Sequence, residues 1–167
     1  MAVVDLPPRW RAWSFGPDRG TRATGYAQLI VTDVYDLVDK ACQPSEDGMK
    51  ALSGDPAELV RALEGMPRFT VLAGPEPDHR FGYPTTHLRM RAGNTRCPFD
   101  TAYMLSLSTG IGQVLGMNAM GSEMDFWVVD AGDRASLVIA SWDPTTAAGI
   151  KAELQSVVDS LEFVPSR

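Results

Sequence analysis

Met124-Asp125-Phe126-Trp127-Val128-Val129-Asp130, then Ala131-Gly132-Asp133-Arg134, then Ser136-Leu137-Val138-Ile139-Ala140-Ser141-Trp142 is the stretch that decides the fold. Both flanks are rich in β-branched and aromatic residues, which fit a pleated, half-buried surface. The connection between them is of hairpin length and contains Gly. Two adjacent strands on so short a turn must run antiparallel, because parallel pairing needs a crossover of a dozen or more residues.

More strand signals lie N-terminal to this pair. Tyr26–Thr32 is β-branched and aliphatic, Phe69–Ala73 is short, and Tyr103–Ser108 is a further candidate. Pro84–Arg91 alternates, with Thr86, Leu88 and Met90 on one side and Thr85, His87, Arg89 and Arg91 on the other, as a half-exposed strand does. Gly74-Pro75-Glu76-Pro77-Asp78 reads as a turn cluster. Asp36–Gly54 is polar, carries Cys42, Pro44 and Gly48, and reads as mostly loop.

Two helices are legible. At Asp55-Pro56-Ala57-Glu58, Asp55 is a cap, Pro56 fits the first helical position and Glu58 completes a capping-box-like pattern. Leu59, Val60, Leu63 and Met66 follow at helical spacing until Pro67. From about Thr146 to Leu161, Ile150, Leu154, Val157, Val158 and Leu161 form an amphipathic stripe. Each helix must bury its stripe on the sheet, so the expected class is α+β, an antiparallel β-sheet with flanking helices. Residues 1–25, with Pro7, Pro8, Gly16, Pro17, Gly20 and Gly25, read as an irregular lead-in with one short strand at Trp10–Phe15, and residues 26–167 as a single domain.

Composition narrows the function. The 167 residues are 44% hydrophobic and 22% charged, enough for one core. Net charge is −6, which speaks against general nucleic-acid or anionic-membrane binding. No run of about 18 apolar residues is present to span a bilayer. Two His and two Cys are too few for the usual zinc motifs, and Asp125, Asp130 and Asp133 do not form a calcium loop, so no metal is expected. Gly110-Ile111-Gly112-Gln113-Val114-Leu115-Gly116 misses the dinucleotide fingerprint, because its third Gly comes one position late. No cofactor is therefore expected.

The residues left with chemistry to offer are few. His87, Arg89 and Arg91 make an anion-binding stripe, or simply a solvated sheet face. Met117 and Met120, in the Gly- and Met-rich stretch 109–121, are candidates to line an adaptable pocket beside the sheet. Trp127 and Trp142, near opposite ends of the hairpin, are candidate ligand contacts or core aromatics. In an enzyme, His87 or the carboxylates Asp125 and Asp130 would do acid/base work, betrayed by a shifted pKa in a cleft.

Cys42 and Cys97 both sit in polar, turn-rich stretches rather than in apolar runs. Two readings stay open from the residues alone. One is a loop-to-loop disulfide in an oxidising compartment, stabilising by roughly 4 kcal/mol in the chain-entropy model. The other is a cytoplasmic adaptor with two free thiols. Met1–Pro8 and the following Arg9-Trp10-Arg11 show no signal-length apolar stretch, as expected of a cytoplasmic protein or of a mature chain whose leader has been removed.

A family resemblance bears on this choice. Asp125–Asp130, Gly132, Arg134, Leu137–Ala140, Pro144-Thr145-Thr146, Ala152-Glu153-Leu154 and Val157–Leu161 resemble a module of actinobacterial exported proteins and lipoproteins. That module has a strand ending in Asp, an L-V-I-x-A strand, a Pro/Thr turn and a helix ending V-D-S-L. Pro56–Leu63 resembles its D-L-V-x-A-L helix and Gly82-Tyr83-Pro84 its G-Y-x-G strand entry, while Thr85 or Thr145 stands where it usually has glycine. The likeness runs from about Tyr26 to Pro165. It implies a PsbP/Mog1-like α/β/α sandwich, a Cys42–Cys97 disulfide and an extracytoplasmic location. It brings no catalytic residue. The combined expectation is a non-catalytic domain, secreted or lipid-anchored, that binds a small molecule or an envelope protein.

Overall fold

The strands expected at Met124–Asp130 and Ser136–Trp142 pair as an antiparallel hairpin in the middle of the main sheet, with Phe126 opposite Ile139 and Trp127 opposite Val138. The computed structural model describes residues 2–13, 16–21, 24–38, 49–93, 102–106, 114–117, 121–132 and 135–163. In chain order these contain β1 (Ala2–Val3), β2 (Arg11–Trp13), β3 (Gly16–Thr21), β4 (Gly25–Asp33), β5 (Asp36–Val38) and β6 (Met49–Ala51). Helix α1 (Pro56–Glu64) precedes β7 (Phe69–Arg80), β8 (Tyr83–Ala92), β9 (Ala102–Ser106), β10 (Val114–Met117), β11 (Glu123–Val129) and β12 (Ser136–Trp142). Helix α2 (Ala148–Asp159) and β13 (Glu162–Phe163) follow.

Among the described residues the main sheet has seven strands in the order β2-β3-β4-β12-β11-β8-β7, each neighbouring pair antiparallel. The α+β class with an antiparallel sheet and two helices is thus present. The central strand β12 is buried on both faces, and alternation divides it between two cores. Leu137 and Ile139 join Met124, Phe126, Val128, Leu88, Met90 and Ile30 under Leu59, Leu63 and Met66 at α1. Val138 and Ala140 join Trp127, Val129, Ala27 and Leu29 under Ile150, Leu154, Val157 and Val158 of α2. The helices therefore cover opposite faces. A second antiparallel sheet, β10-β9-β5-β6, contributes Leu37 to the α1-side core.

Asp55 caps α1 as expected, its carboxylate accepting the Ala57 N–H at 3.0 Å. Glu58 departs from the capping-box expectation. It reaches back to Ser53, accepting the backbone N–H at 2.7 Å and the hydroxyl at 2.5 Å, and these bonds hold its carboxyl below the usual range. Helix α2 has no side-chain N-cap. Packing holds it instead, since burying each of its four large apolar side chains is worth about 1.5–3 kcal/mol.

Three expectations need correction. The short strand expected at Trp10–Phe15 is β2 and residues 4–10 are irregular, but the lead-in also holds β1 and β3, and β2 and β3 extend the main sheet. It is tied down at both faces of the sheet. Buried Asp18 accepts from Arg11 at 3.0 Å and from the Tyr26 hydroxyl, and burial together with Asp18 pushes the Tyr26 phenol up. On the α2 side, Glu153 pairs with Arg19 and accepts the Trp10 indole N–H at 3.2 Å. Residues 36–54 are not mostly loop at their ends, where β5 and β6 pair with each other. Finally, Gly74–Asp78 is no turn. It is a bulged part of β7, an edge strand, where proline's missing N–H costs no ladder bond. Gly74 has φ +83°, and a Cβ there would lie 2.5 Å from the His87 carbonyl oxygen. The real turn is Phe81-Gly82, both at positive φ, the backbone a two-residue hairpin needs.

Candidate functional site

The register of the main sheet assembles the site. Side chains of alternate residues share a face, so Thr85, His87, Arg89 and Arg91 of β8 all lie on the α2 side. Across the ladder, His87 is opposite Trp127, Arg89 opposite Asp125, and Arg91 opposite Glu123. One strand further, Asp125 is opposite Ala140 and Glu123 opposite Trp142. Helix α2 packs on β4 and β12. A polar band on β8 and β11 is left along its flank.

Asp125 organises this band. It is 3% exposed and takes three charge-oriented hydrogen bonds. Arg89 donates Nε to Oδ1 and Nη2 to Oδ2, both at 2.8 Å, the bidentate geometry that makes such pairs strong. His87 Nε2 lies 2.8 Å from Oδ1. Burial alone would raise the carboxyl, but the hydrogen bonds from His87 and Arg89, with the Arg89 charge, outweigh it and hold Asp125 below its ordinary value. An ionised carboxylate only accepts, so His87 Nε2 carries the hydrogen in this contact.

The aromatic residues sit on either side. The His87 ring stacks on Trp127, with centroids 5.1 Å apart and planes at 27°, and Arg80 lies over the same indole at 5.3 Å. Phe81 meets Trp127 edge-on at 6.1 Å. Trp142 carries two cations, with Arg89 Cζ at 5.4 Å and Lys151 Nζ at 5.7 Å from its ring centroid. Arg91 is paired with Glu123 at 2.6 Å.

Between this band and α2 runs a cleft of about 290 Å³, lined by Arg89, Glu123, Asp125, Ala140, Trp142, Lys151, Leu154 and Gln155. A neighbouring hollow of about 360 Å³ shares Glu123, Trp142 and Lys151 and extends to Arg91, Gly121 and Pro144. A larger cavity of about 450 Å³ lies elsewhere on the α2 side, among Leu29, Val31, Leu161 and Phe163, with Asp33 and Ser136 also in its lining. The titratable cluster belongs to the first cleft.

Five expected contact residues are therefore brought to one face: His87, Arg89, Arg91, Trp127 and Trp142. Trp127 is buried there, whereas Trp142 is half-buried at the cleft. Met120, Cys42 and Cys97 lie outside the described residues, as does the Met117 side chain, although its backbone is in β10. The groove expected beside residues 109–121 lies mostly outside the described residues, of which Gly121 lines the neighbouring hollow and β10 belongs to the second sheet.

Asp125 and Asp130 do not form a carboxylate pair. Asp130 is exposed beyond the end of β11, roughly 17 Å along the chain at about 3.4 Å per residue. Asp125, ionised and taken up by three donors, is a positioning residue rather than a proton donor. Among the described residues no group of three His, Cys, Asp or Glu side chains is placed to hold a metal ion, and no helix is long and apolar enough to cross a membrane.

Sequence reasoning missed Lys151, Glu123 and Arg80. Lys151 sits on the flank of the α2 stripe, beside Ile150 and one turn before Leu154 and Gln155, so the helical period alone marks it as a rim position. No protein-family model and no curated protein matches the chain.

Proposed function

We propose that the chain is a non-catalytic binding domain of the cell envelope, secreted or lipid-anchored, with a PsbP/Mog1-like sandwich. Its ligand or partner engages the cleft between α2 and the β8–β11–β12 face. The observation that carries this reading is the use made of Asp125. Its carboxylate is spent on holding Arg89 and His87 in place, which suits a rigid recognition surface better than acid/base turnover. The cleft sets the apolar Ala140, Trp142 and Leu154 beside five polar side chains, so it is more polar than the usual small-molecule site and offers fixed polar groups for orientation.

A screen by thermal unfolding tests the proposal. A ligand that binds only the native state stabilises it by about 2.7 kcal/mol at a hundred times its Kd. Compounds that raise the midpoint of the wild-type chain should fail to do so in Trp142→Ala. Equal stabilisation of both proteins contradicts the reading. The envelope location is supported by the family resemblance and by the presence of two cysteines, Cys42 and Cys97, both in polar, turn-rich stretches. Titration of the native protein without reductant should find no reactive thiol, whereas two would favour the cytoplasmic adaptor.

The His87–Asp125 contact is the one observation that favours an enzyme, since an oriented imidazole can shuttle protons. Among the described residues no hydroxyl hydrogen-bonds His87. Turnover of a substrate by the wild type, lost in His87→Ala, would establish that second reading.

A further inference from the structure

We infer that the cleft takes a small organic anion, a carboxylate attached to a flat apolar body, with Lys151 as the anion's partner. This ligand class rests on the cleft being the binding site and follows from which charges there are already spent. Arg89 gives two hydrogen bonds to Asp125, and Arg91 gives two to Glu123. Each carboxylate of the cleft is thereby matched by an arginine. Lys151 is left over. Its ammonium lies 5.7 Å from the Trp142 ring centroid and has no carboxylate partner among the described residues.

The charge complement excludes the opposite ligand. A ligand cation seeking the Trp142 face would meet Arg89 and Lys151 already there. It would also find Asp125 and Glu123 neutralised. An anion meets one unspent positive charge in a chain whose net charge is −6, so the attraction is local to the cleft. The floor sets the rest of the ligand. Ala140 and Leu154 are buried and apolar, and Trp142 is half-buried with an aromatic surface. About 290 Å³ lies at the small end of ligand cavities, which fits one ring and a short acid arm rather than a long chain.

The test pairs charged and neutral isosteres. The chain is titrated by calorimetry and by NMR with phenylacetate and with phenylacetamide, in wild type, Lys151→Met and Lys151→Gln. Phenylacetate should shift the Trp142 indole and bind about tenfold or more tightly than the amide, the scale of one charge-assisted hydrogen bond. Both Lys151 variants, with thermal unfolding to show that they remain folded, should remove that difference. Equal binding of acid and amide at the cleft overturns the anion preference and leaves the binding site standing. Undiminished preference for the acid in both variants overturns the role of Lys151. Failure of both compounds to move any cleft residue overturns the ligand class, while the binding site stands or falls on the Trp142→Ala comparison.

Discussion

Replacing Asp125 by Asn keeps the side chain's shape and removes its charge. The amide cannot accept from Arg89 on both atoms, and its NH₂ group faces a donor. Breaking a fully buried ion pair costs about 3–5 kcal/mol, whereas an exposed one is worth about 0.2–1. Asp125 is buried, but the Arg89 and His87 side chains keep 42% and 26% of their surface, so both can regain water at the cleft. The expected loss lies between those limits, about 2 kcal/mol, or about 4–8 °C in Tm for a chain of this size. The sign with pH follows from the lowered carboxyl. Asp125 contributes in full above its ordinary value of 3.8, and the contribution fades as pH falls through the still lower folded value. Urea unfolding of wild type and Asp125→Asn at pH 7 and at steps below pH 4 should show a constant gap that closes only in acid. A variant within about 0.5 kcal/mol of wild type at pH 7, the scatter of neutral surface changes, refutes the claim that Asp125 organises the band.

Other positions give independent outcomes. The Thr85 hydroxyl is buried without a hydrogen-bond partner among the described residues, so Thr85→Val should leave chemical-denaturation stability unchanged or raise it by about 1 kcal/mol. Asp55→Ala removes the α1 cap and should cost about 1 kcal/mol, largely restored in Asp55→Ser. Gly25 has φ +73°, and a Cβ there would lie 2.3 Å from the Thr146 backbone, so Gly25→Ala should destabilise by about 1–3 kcal/mol and lower Tm accordingly.

The residue pattern carried the elements whose periodicity is strong. The Ser136–Trp142 strand, the α2 stripe and the alternation of β8 were all legible, and the last of these put His87, Arg89 and Arg91 on one face. Their meeting with Asp125 and Trp127 was not legible, because it depends on register between β8 and β11, which are separated by a long stretch of chain. A shift of one residue would have turned Asp125 to the other core. The bulged part of β7 was misread because Gly74, Pro75 and Pro77 punctuate a chain equally well at a turn or on a sheet edge, and only strand order separates the two. Lys151 became a cleft residue through the way α2 docks, which a helical period does not specify.

The most direct test of the α2-side cleft as the binding site is an NMR titration of the labelled chain with ligands found by thermal shift. The account predicts perturbations gathered at Arg89, Asp125, Trp142, Lys151 and Leu154. Perturbations gathered instead along β7, or around Leu29 and Leu161, with these five residues unmoved, contradict it.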